Sequence, residues 1–260
     1  MRFVQLTDVH FGGECGPATE AAVALCRDLA PELTLVTGDV TLNGLPREFE
    51  AGAAWIARLP KPWLCTPGNH DTPYWNLLLR WLTPFRRYRH WIGEPYGGSF
   101  RSEDLRVEMI NTSRGAQPRP DWSKGAINLE RCREAAAALA EGPPKALRVI
   151  GCHHPLIDLP GAPVTGGVHR GALAAELLTC GGVDLILTGH VHVPFAIPTP
   201  YGDGRTYAVG ASTLSQRLRG APPGFNVVEA DDDCVRVTAQ GWTGSAYEPW
   251  REWELPRRRR

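Results

Sequence analysis

Five short apolar segments each end directly in a cluster of Asp, Asn or His residues, and this arrangement constrains the fold more than any other feature. The apolar segments are 3–6, 33–36, 63–65, 147–152 and 183–187. Their length and composition are typical of buried parallel strands. Early in the chain they alternate with helical patterns at 18–29 and 47–59. This order predicts a parallel sheet with right-handed crossover connections, followed by short strands at 206–209, 225–229 and 235–238.

The polar clusters all lie where a predicted strand ends. They are Asp8-Val9-His10, Gly38-Asp39, Gly68-Asn69-His70-Asp71, His153-His154-Pro155 and Gly189-His190-Val191-His192. In α/β sheets the ligand crevice lies at the carboxyl ends of the strands, so these side chains are expected at one rim. Any single cluster could be only a turn, since Gly and Asn favour turns. Five clusters in this order are hard to explain in that way.

The residue types in these clusters indicate a metal centre. Six of the eight histidines fall in them, together with Asp8, Asp39 and Asn69. The i, i+2 spacing within the first and last clusters lets two side chains reach one centre from a turning backbone. A carboxylate such as Asp39 can bridge two cations, because it offers two oxygens. Nitrogen and oxygen donors without thiolate suit Mn, Fe, Zn, Ni or Co, and the set is too rich in histidine for a Mg or Ca site.

The full pattern D-x-H, G-D, G-N-H-[DE], H, G-H-x-H resembles the calcineurin-like metallophosphoesterase superfamily. Within it, the chain resembles the bacterial class III cyclic-nucleotide phosphodiesterase and glycerophosphodiesterase branch. The resemblance implies one domain over residues 1–260, a four-layer α/β/β/α sandwich with mixed sheets and a metal site at the C-terminal ends of the strands. It also implies two divalent or mixed-valence transition metal ions, with Mn, Fe or Zn favoured over Ni or Co. The implied activity is hydrolysis of a small phosphodiester, of the cyclic nucleotide or glycerophosphodiester type.

The resemblance further implies roles for individual residues. One metal would be held by Asp8, His10, Asp39 and His192, and the second by Asp39, Asn69, His153 and His190. Hydroxide at the metals would attack phosphorus in line, while His70 stabilises the transition state or protonates the leaving oxygen. The family's H-x-P spacing favours His153 over His154 as ligand, which leaves His154 beside the ligands or near the substrate. Asp71 is expected to orient the His70 imidazole, to support the ligands from behind or to bind the substrate, and the alternative is that it only caps a helix before Pro73.

Three other functions stay open at this point: a phosphomonoesterase, a nuclease of the same superfamily and a non-catalytic scaffold. Lys plus Arg and Asp plus Glu are both 28, so the chain lacks the net basic charge expected for extensive nucleic-acid binding. Every expected ligand position and His70 are present, which disfavours the scaffold. The substrate is expected to be a small phosphate ester, and the sequence does not define the oligomeric state.

The segment 73–92 follows a metal-binding turn directly, so it must leave from the rim of the site. Its apolar residues recur at helical spacing, which predicts a face packed onto the body of the protein. They are Trp75, Leu78, Leu79, Leu82, Phe85, Tyr88 and Trp91. The basic residues Arg86, Arg87, Arg89 and His90 form either a solvated face or part of a lid over the metals. In the lid, Arg86 would reach the substrate, and Arg114 is a second candidate, because guanidinium groups match phosphate oxygens.

The remaining features concern location. Seven cysteines are scattered without a C-x-x-C pair, which argues against a disulfide framework and a thiolate zinc site. The N-terminal segment lacks a targeting pattern, and no apolar run approaches the roughly 20 residues that cross a bilayer. We therefore expect a cytoplasmic protein without a membrane span. The four arginines 257–260 are expected to form a solvated basic tail.

Overall fold

The computed structural model describes residues 1–258, which form two six-stranded mixed sheets with helices on their outer faces. The strands are β1 (Arg2–Leu6), β2 (Leu33–Val36), β3 (Trp63–Cys65), β4 (Ser99–Arg101), β5 (Leu105–Met109), β6 (Leu147–Gly151), β7 (Leu185–Thr188), β8 (Phe195–Pro198), β9 (Tyr207–Gly210), β10 (Gly224–Ala230), β11 (Cys234–Trp242) and β12 (Tyr247–Pro256). The α-helices are α1 (Gly16–Leu29), α2 (Pro46–Ile56), α3 (Leu77–Leu82), α4 (Arg86–Trp91), α5 (Leu129–Ala140) and α6 (Gly171–Cys180).

The two sheets have parallel centres and antiparallel flanks. The first runs in the order β12-β11-β10-β1-β2-β3, and the second in the order β4-β5-β6-β7-β9-β8. Strands β1, β2 and β3 are mutually parallel, as are β5, β6, β7 and β9. The other pairings are antiparallel, including the β10–β11 hairpin, whose turn contains three successive aspartates. The predicted order of strands and helices in the first half is confirmed.

Alternate residues of the central strands face different layers of the protein. Phe3 of β1 packs between the sheets against Leu105 and Val149. Its neighbour Val4 points the other way, into the cluster that β1 and β2 form with α1 and α2. Ile150 of β6 likewise faces the cluster formed with α5 and α6. Parallel strands buried on both faces therefore produce the predicted four-layer α/β/β/α sandwich.

The segment 73–92 differs from its prediction. It forms two short helices, α3 and α4, instead of one continuous apolar face. Phe85 and Tyr88 are buried against Phe49, as predicted. Leu79 and Trp91 are partly buried, but Trp75, Leu78 and Leu82 are exposed, so the prediction that these three pack onto the body is wrong. The reason is that Arg80 occupies the inner side of α3, where it is only 7% exposed.

The C-terminal arginines also differ from their prediction. Arg257 donates hydrogen bonds to the carbonyl oxygens of Asp231 and Lys145. Arg258 forms an ion pair with Asp203 at 2.9 Å, and its side chain is only 16% exposed. Because backbone carbonyls and the Asp203 carboxylate are within hydrogen-bonding distance, these two arginines lie against the body of the protein and do not form a solvated tail. Arg259 and Arg260 fall outside the described residues.

Within residues 1–258, none of the helices has the length and apolar character required to cross a bilayer.

Candidate metal centre

The loops that follow β1, β2, β3, β6 and β7 bring the five predicted clusters together. The Oδ2 atom of Asp8 accepts a hydrogen bond of 2.9 Å from the backbone N–H of His190. The N–H of Asp8 donates to the carbonyl of Gly38 at 2.9 Å, and the N–H of Gly189 donates to the carbonyl of His153 at the same distance. The loops of both sheets are thus connected by hydrogen bonds at one rim, where the sequence predicts a metal site.

The backbone at this rim adopts an unusual conformation. Five candidate ligands have positive φ angles: Asp8 at 52°, His10 at 52°, Asp39 at 51°, His190 at 67° and His192 at 59°. In residues 1–258 just two further non-glycine residues share this feature. Left-handed residues of this kind are uncommon and concentrate at functional sites. Here they turn the chain sharply, so that both members of each i, i+2 pair reach the same centre.

The glycines of the motifs allow the loops to approach closely. A Cβ atom on Gly68 would overlap the carboxylate of Asp39. A Cβ atom on Gly189 would overlap the hydroxyl of Thr7 and the carboxylate of Asp8. The glycine in these two motifs is therefore required by contact with an acidic residue from a different loop.

A first group of ligand atoms surrounds the carboxylate of Asp8. Its Oδ1 atom lies 3.0 Å from Nε2 of His192 and 3.6 Å from Nε2 of His10. These two Nε2 atoms are 3.4 Å apart. The Oδ2 atom of Asp39 lies 3.8 Å from Nε2 of His10, which connects this group to the neighbouring one.

A second group lies on the other side of Asp39. The Oδ2 atom of Asp39 is 3.2 Å from Nε2 of His153, and the ring of His190 is centred 5.3 Å from that of His153. Nε2 of His153 and Oδ1 of Asn69 are buried without a hydrogen-bond partner among the described residues. Because buried polar atoms are normally satisfied, these two atoms fit the ligands of a cation. The imidazole and oxygen donors of both groups suit a transition metal.

Backbone carbonyl groups orient three of the histidines. Nδ1 of His10 donates to the carbonyl of Thr41 at 3.3 Å, and Nδ1 of His153 donates to that of Thr37 at 2.9 Å. Nδ1 of His192 donates to the carbonyl of Arg217 at 2.6 Å. Each bond fixes the tautomer and directs the lone pair of Nε2 toward the acidic residues, as in established metal sites.

The protonation states of the buried groups favour cation binding. Burial raises the pKa of Asp39, but His153 and other nearby histidines outweigh this effect and hold the pKa below its usual range. Burial lowers the pKa of His190 to about 3, so this imidazole is neutral. For His153, burial lowers the pKa, but the Asp39 carboxylate raises it to about 9. A cation that binds His153 would therefore displace a proton.

His70 lies beside both groups but uses both ring nitrogens elsewhere. Its Nδ1 donates to the carbonyl of Leu42 at 2.6 Å, and its Nε2 accepts a hydrogen bond from Nη1 of Arg217 at 2.9 Å. Its backbone N–H donates to Oδ1 of Asp39 at 2.8 Å. Burial lowers the pKa of His70 to about 4, which keeps the ring neutral and able to accept from a guanidinium.

The carboxylate of Asp71 connects two of the loops. It accepts hydrogen bonds from the backbone N–H groups of Gly68, Val40 and Thr41, at 2.9, 3.2 and 2.8 Å. No described hydrogen bond joins Asp71 to the ring of His70, which the carbonyl of Leu42 orients. Asp71 does not cap α3 either, because Asn76 does so. Asp71 instead holds the loop of Asp39 against the turn that carries Asn69 and His70.

Both ring nitrogens of His154 are already in hydrogen bonds. Nδ1 accepts from the hydroxyl of Thr112 at 2.8 Å, and Nε2 donates to the carbonyl of Ser123 at 2.9 Å. His154 is adjacent to His190, with ring centroids 4.7 Å apart. Both nitrogens of His154 bond to other loops, whereas Nε2 of His153 faces the Asp39 carboxylate at 3.2 Å, so the geometry favours His153 as the ligand.

The arginines expected at the substrate lie in other environments. Arg86 lines a cavity of about 390 Å³ together with Leu79, His90 and Trp91. Arg114 donates to the carbonyls of Asn111 and Ser113 and lines another cavity. The described residues around these two cavities include none of the candidate ligands. Substrate binding by Arg86 or Arg114 therefore stays a prediction.

Two arginines that the sequence interpretation missed reach the centre. Arg217 contacts the ring of His70, and Arg219 donates to the carbonyl of His190 at 2.8 Å. Both lie on the loop after β9, which is parallel to β7 and ends at the same rim. The signal in the sequence was weak: Arg217 and Arg219 follow the predicted strand at 206–209 only after eight or more residues, whereas the other clusters begin within three residues of theirs.

Comparison with known proteins agrees with this geometry. The family model for calcineurin-like phosphoesterases matches residues 1–194. The chain is similar to a probable cyclic nucleotide phosphodiesterase from a Synechococcus species, with 22% identity over 246 residues that cover 90% of this chain and 89% of the relative.

Solved structures share the fold at low sequence identity. The chain is similar to the purple acid phosphatase PPD1 of yellow lupin, with a TM-score of 0.70 and 15% identity over 99% of this chain. It spans 54% of the length of that phosphatase. It is also similar to GAP50, the anchor in the inner membrane complex of Plasmodium, with a TM-score of 0.63 and 15% identity, covering 100% of this chain and 89% of GAP50. With a family model that matches most of its length, the chain belongs to the calcineurin-like phosphoesterase family and is a metal-dependent phosphoesterase.

Proposed function

We propose that the protein hydrolyses a small phosphodiester at a dinuclear metal centre in which Asp39 bridges the two cations. The observation that carries the proposal is the position of Oδ2 of Asp39. It lies 3.8 Å from Nε2 of His10 and 3.2 Å from Nε2 of His153, and therefore faces both groups of ligand atoms. Asp8 and His192 accompany His10. A carboxylate with two oxygens is suited to such a bridge.

The proposed ligands divide into two sets that share the bridge. Asp8, His10, Asp39 and His192 would hold the first metal, and Asp39, Asn69, His153 and His190 would hold the second. When bound, the two cations lower the pKa of a water molecule and neutralise charge on the phosphoryl oxygens. The donor set suits Mn, Fe or Zn best, and Ni or Co are compatible.

His70 and Arg217 supply the protein's own contribution to the reaction. The neutral His70 ring accepts from Arg217 at 2.9 Å, so a guanidinium lies beside the candidate metal ligands. Guanidinium groups bind phosphate oxygens through two parallel hydrogen bonds. We expect the substrate phosphate to compete with His70 for this donor. Nε2 of His70, an acceptor in the neutral ring, would then be free to take up the proton that the attacking water loses and to pass it to the leaving oxygen as charge develops there.

The preference for a diester rests on the similarity to the probable cyclic nucleotide phosphodiesterase, at 22% identity over 90% of the chain. It is tested with protein that has been stripped of metal and reloaded separately with Mn, Fe, Zn, Ni and Co. Each form is assayed with bis-nitrophenyl phosphate, nitrophenyl phosphate, cyclic nucleotides and glycerophosphodiesters.

We expect the highest kcat/KM for a diester, and no hydrolysis by the protein without metal. If kcat/KM is higher for nitrophenyl phosphate than for the diesters, the substrate class is a phosphate monoester and not a diester. Failure to hydrolyse any ester, in protein that contains two metals per chain, would contradict the proposed function.

A further inference from the structure

Six large apolar side chains at the start of the 73–92 segment point to solvent. Their exposed fractions are 47% for Tyr74, 75% for Trp75, 59% for Leu77, 64% for Leu78, 66% for Trp81 and 59% for Leu82. We call these six residues the α3 patch. In residues 1–258 only three other large apolar residues, Tyr96, Leu173 and Leu218, are exposed to a similar degree. Contiguous exposed apolar surface of this kind marks an interaction site.

The orientation of α3 is fixed by a charged residue on its inner side. Arg80 is only 7% exposed, and its guanidinium donates to the carbonyl of Gly115 at 2.9 Å and to that of Trp122 at 3.3 Å. Rotating α3 to bury its leucines would break these bonds and expose an arginine that is anchored below. The helix is therefore held with a polar residue inside and apolar residues outside, the reverse of an ordinary surface helix.

A basic cavity adjoins the α3 patch. Arg86, Arg87 and His90 line it together with Leu79 and Trp91, and its volume is about 390 Å³. Arg87 donates to the carbonyl of Gly44 at 2.7 Å, which fixes its position. Acidic residues are absent from the described lining of the cavity, so its charge suits an anionic group.

We propose that the α3 patch docks the protein onto an anionic lipid membrane, with headgroup phosphates in the adjoining basic cavity. Trp and Tyr concentrate at the boundary between headgroups and acyl chains, leucines insert below it, and nearby arginines bind anionic lipid. Exposed tryptophans, exposed leucines and a basic cavity together suit an anionic lipid surface better than they suit a neutral protein partner. Because the ring of Tyr74 lies nearly parallel to that of His70, with centroids 6.5 Å apart, docking places the candidate metal centre close to the lipid surface.

The docking is tested by sedimentation of the full chain with vesicles of phosphatidylcholine alone or of phosphatidylcholine with phosphatidylglycerol. The test variant is Trp75→Ser combined with Trp81→Ser, which changes two exposed side chains. Leu173→Ser is the matched control, since Leu173 is 55% exposed on α6. A second pair compares Arg86→Ala with Arg133→Ala, whose side chain is 59% exposed on α5.

We expect the wild-type protein and both controls to sediment with the anionic vesicles. The double tryptophan variant should lose at least about tenfold in vesicle affinity, and Arg86→Ala about fivefold. Absence of wild-type binding, or equal binding by the tryptophan variant, would overturn the proposal. So would a wild-type dimer that this variant dissociates, because a second copy would then cover the α3 patch. Hydrolysis of soluble bis-nitrophenyl phosphate, measured in parallel, reports separately on the proposed function.

Discussion

Replacement of the proposed bridge, Asp39→Asn, is the substitution whose consequences the structure defines best. Oδ1 of Asp39 accepts from the N–H of His70 at 2.8 Å, and the side chain is almost fully buried. An asparagine must keep its carbonyl oxygen in that bond, so its amide nitrogen takes the position of Oδ2. That position faces Nε2 of His10 and of His153. An amide nitrogen cannot ligate a cation, so the bridge is lost while the shape of the side chain is preserved.

The backbone should tolerate this substitution. Asp39 has a φ of 51°, and asparagine is one of the few residues that adopt such a conformation readily. Loss of a group that merely orients a metal ligand costs about 10- to 100-fold in affinity or activity. Loss of a ligand shared by two cations should cost more, so we expect kcat/KM to fall by at least about 10³-fold. Metal content should fall from two ions per chain to one or none.

The assay combines metal analysis by plasma emission with kcat/KM for bis-nitrophenyl phosphate, and circular dichroism verifies folding. Asp28→Asn is the matched control, because Asp28 is exposed on α1. It should retain two ions and full activity. A folded Asp39→Asn protein with two ions per chain and wild-type activity would refute the bridging role.

Four further substitutions test the other assignments. His70→Ala should keep both metals but lose about 10²–10⁴-fold in turnover, with a smaller loss for nitrophenyl leaving groups, which need little protonation. An equal loss across leaving groups would exclude the acid role. Arg217→Ala should also keep both metals and lose about 10²-fold in kcat/KM, and an unchanged value would exclude its contact with the phosphate. His153→Ala should remove the second metal, whereas His154→Ala should retain both and change KM or kcat; the reverse pattern would exchange their roles.

The sequence predicted the order of strands and helices and the grouping of the metal-site residues because both depend on local patterns, whereas the four layers were implied by the family resemblance. The alternation of Phe3 and Val4 between two layers follows from the geometry of a strand. Convergence of the clusters follows from the parallel order of the strands, since each cluster comes directly after one. The glycines of the motifs were also visible in the sequence. Only the structure shows that Gly68 and Gly189 leave room for the carboxylates of Asp39 and Asp8.

Other features depend on contacts between residues far apart in the chain. Asp71 accepts hydrogen bonds from the backbone N–H groups of Val40 and Thr41, which are about thirty residues away in the chain. Its role therefore could not be predicted from the residues next to it in the sequence. The contact of Arg217 with His70 joins positions separated by 147 residues. The exposure of α3 arises because Arg80 finds carbonyl acceptors on a distant loop. Apolar periodicity alone predicted the opposite orientation, because it takes no account of a buried arginine with partners.

Anomalous diffraction from crystals of the manganese-loaded protein tests most directly whether Asp39 holds two cations at once. We expect two anomalous peaks about 3.5–4 Å apart, with Asp39 in contact with both. One peak should also adjoin Asp8 and His192, and the other His153 and Asn69. A single peak, or two peaks that do not share Asp39, would contradict the proposal that Asp39 bridges two cations.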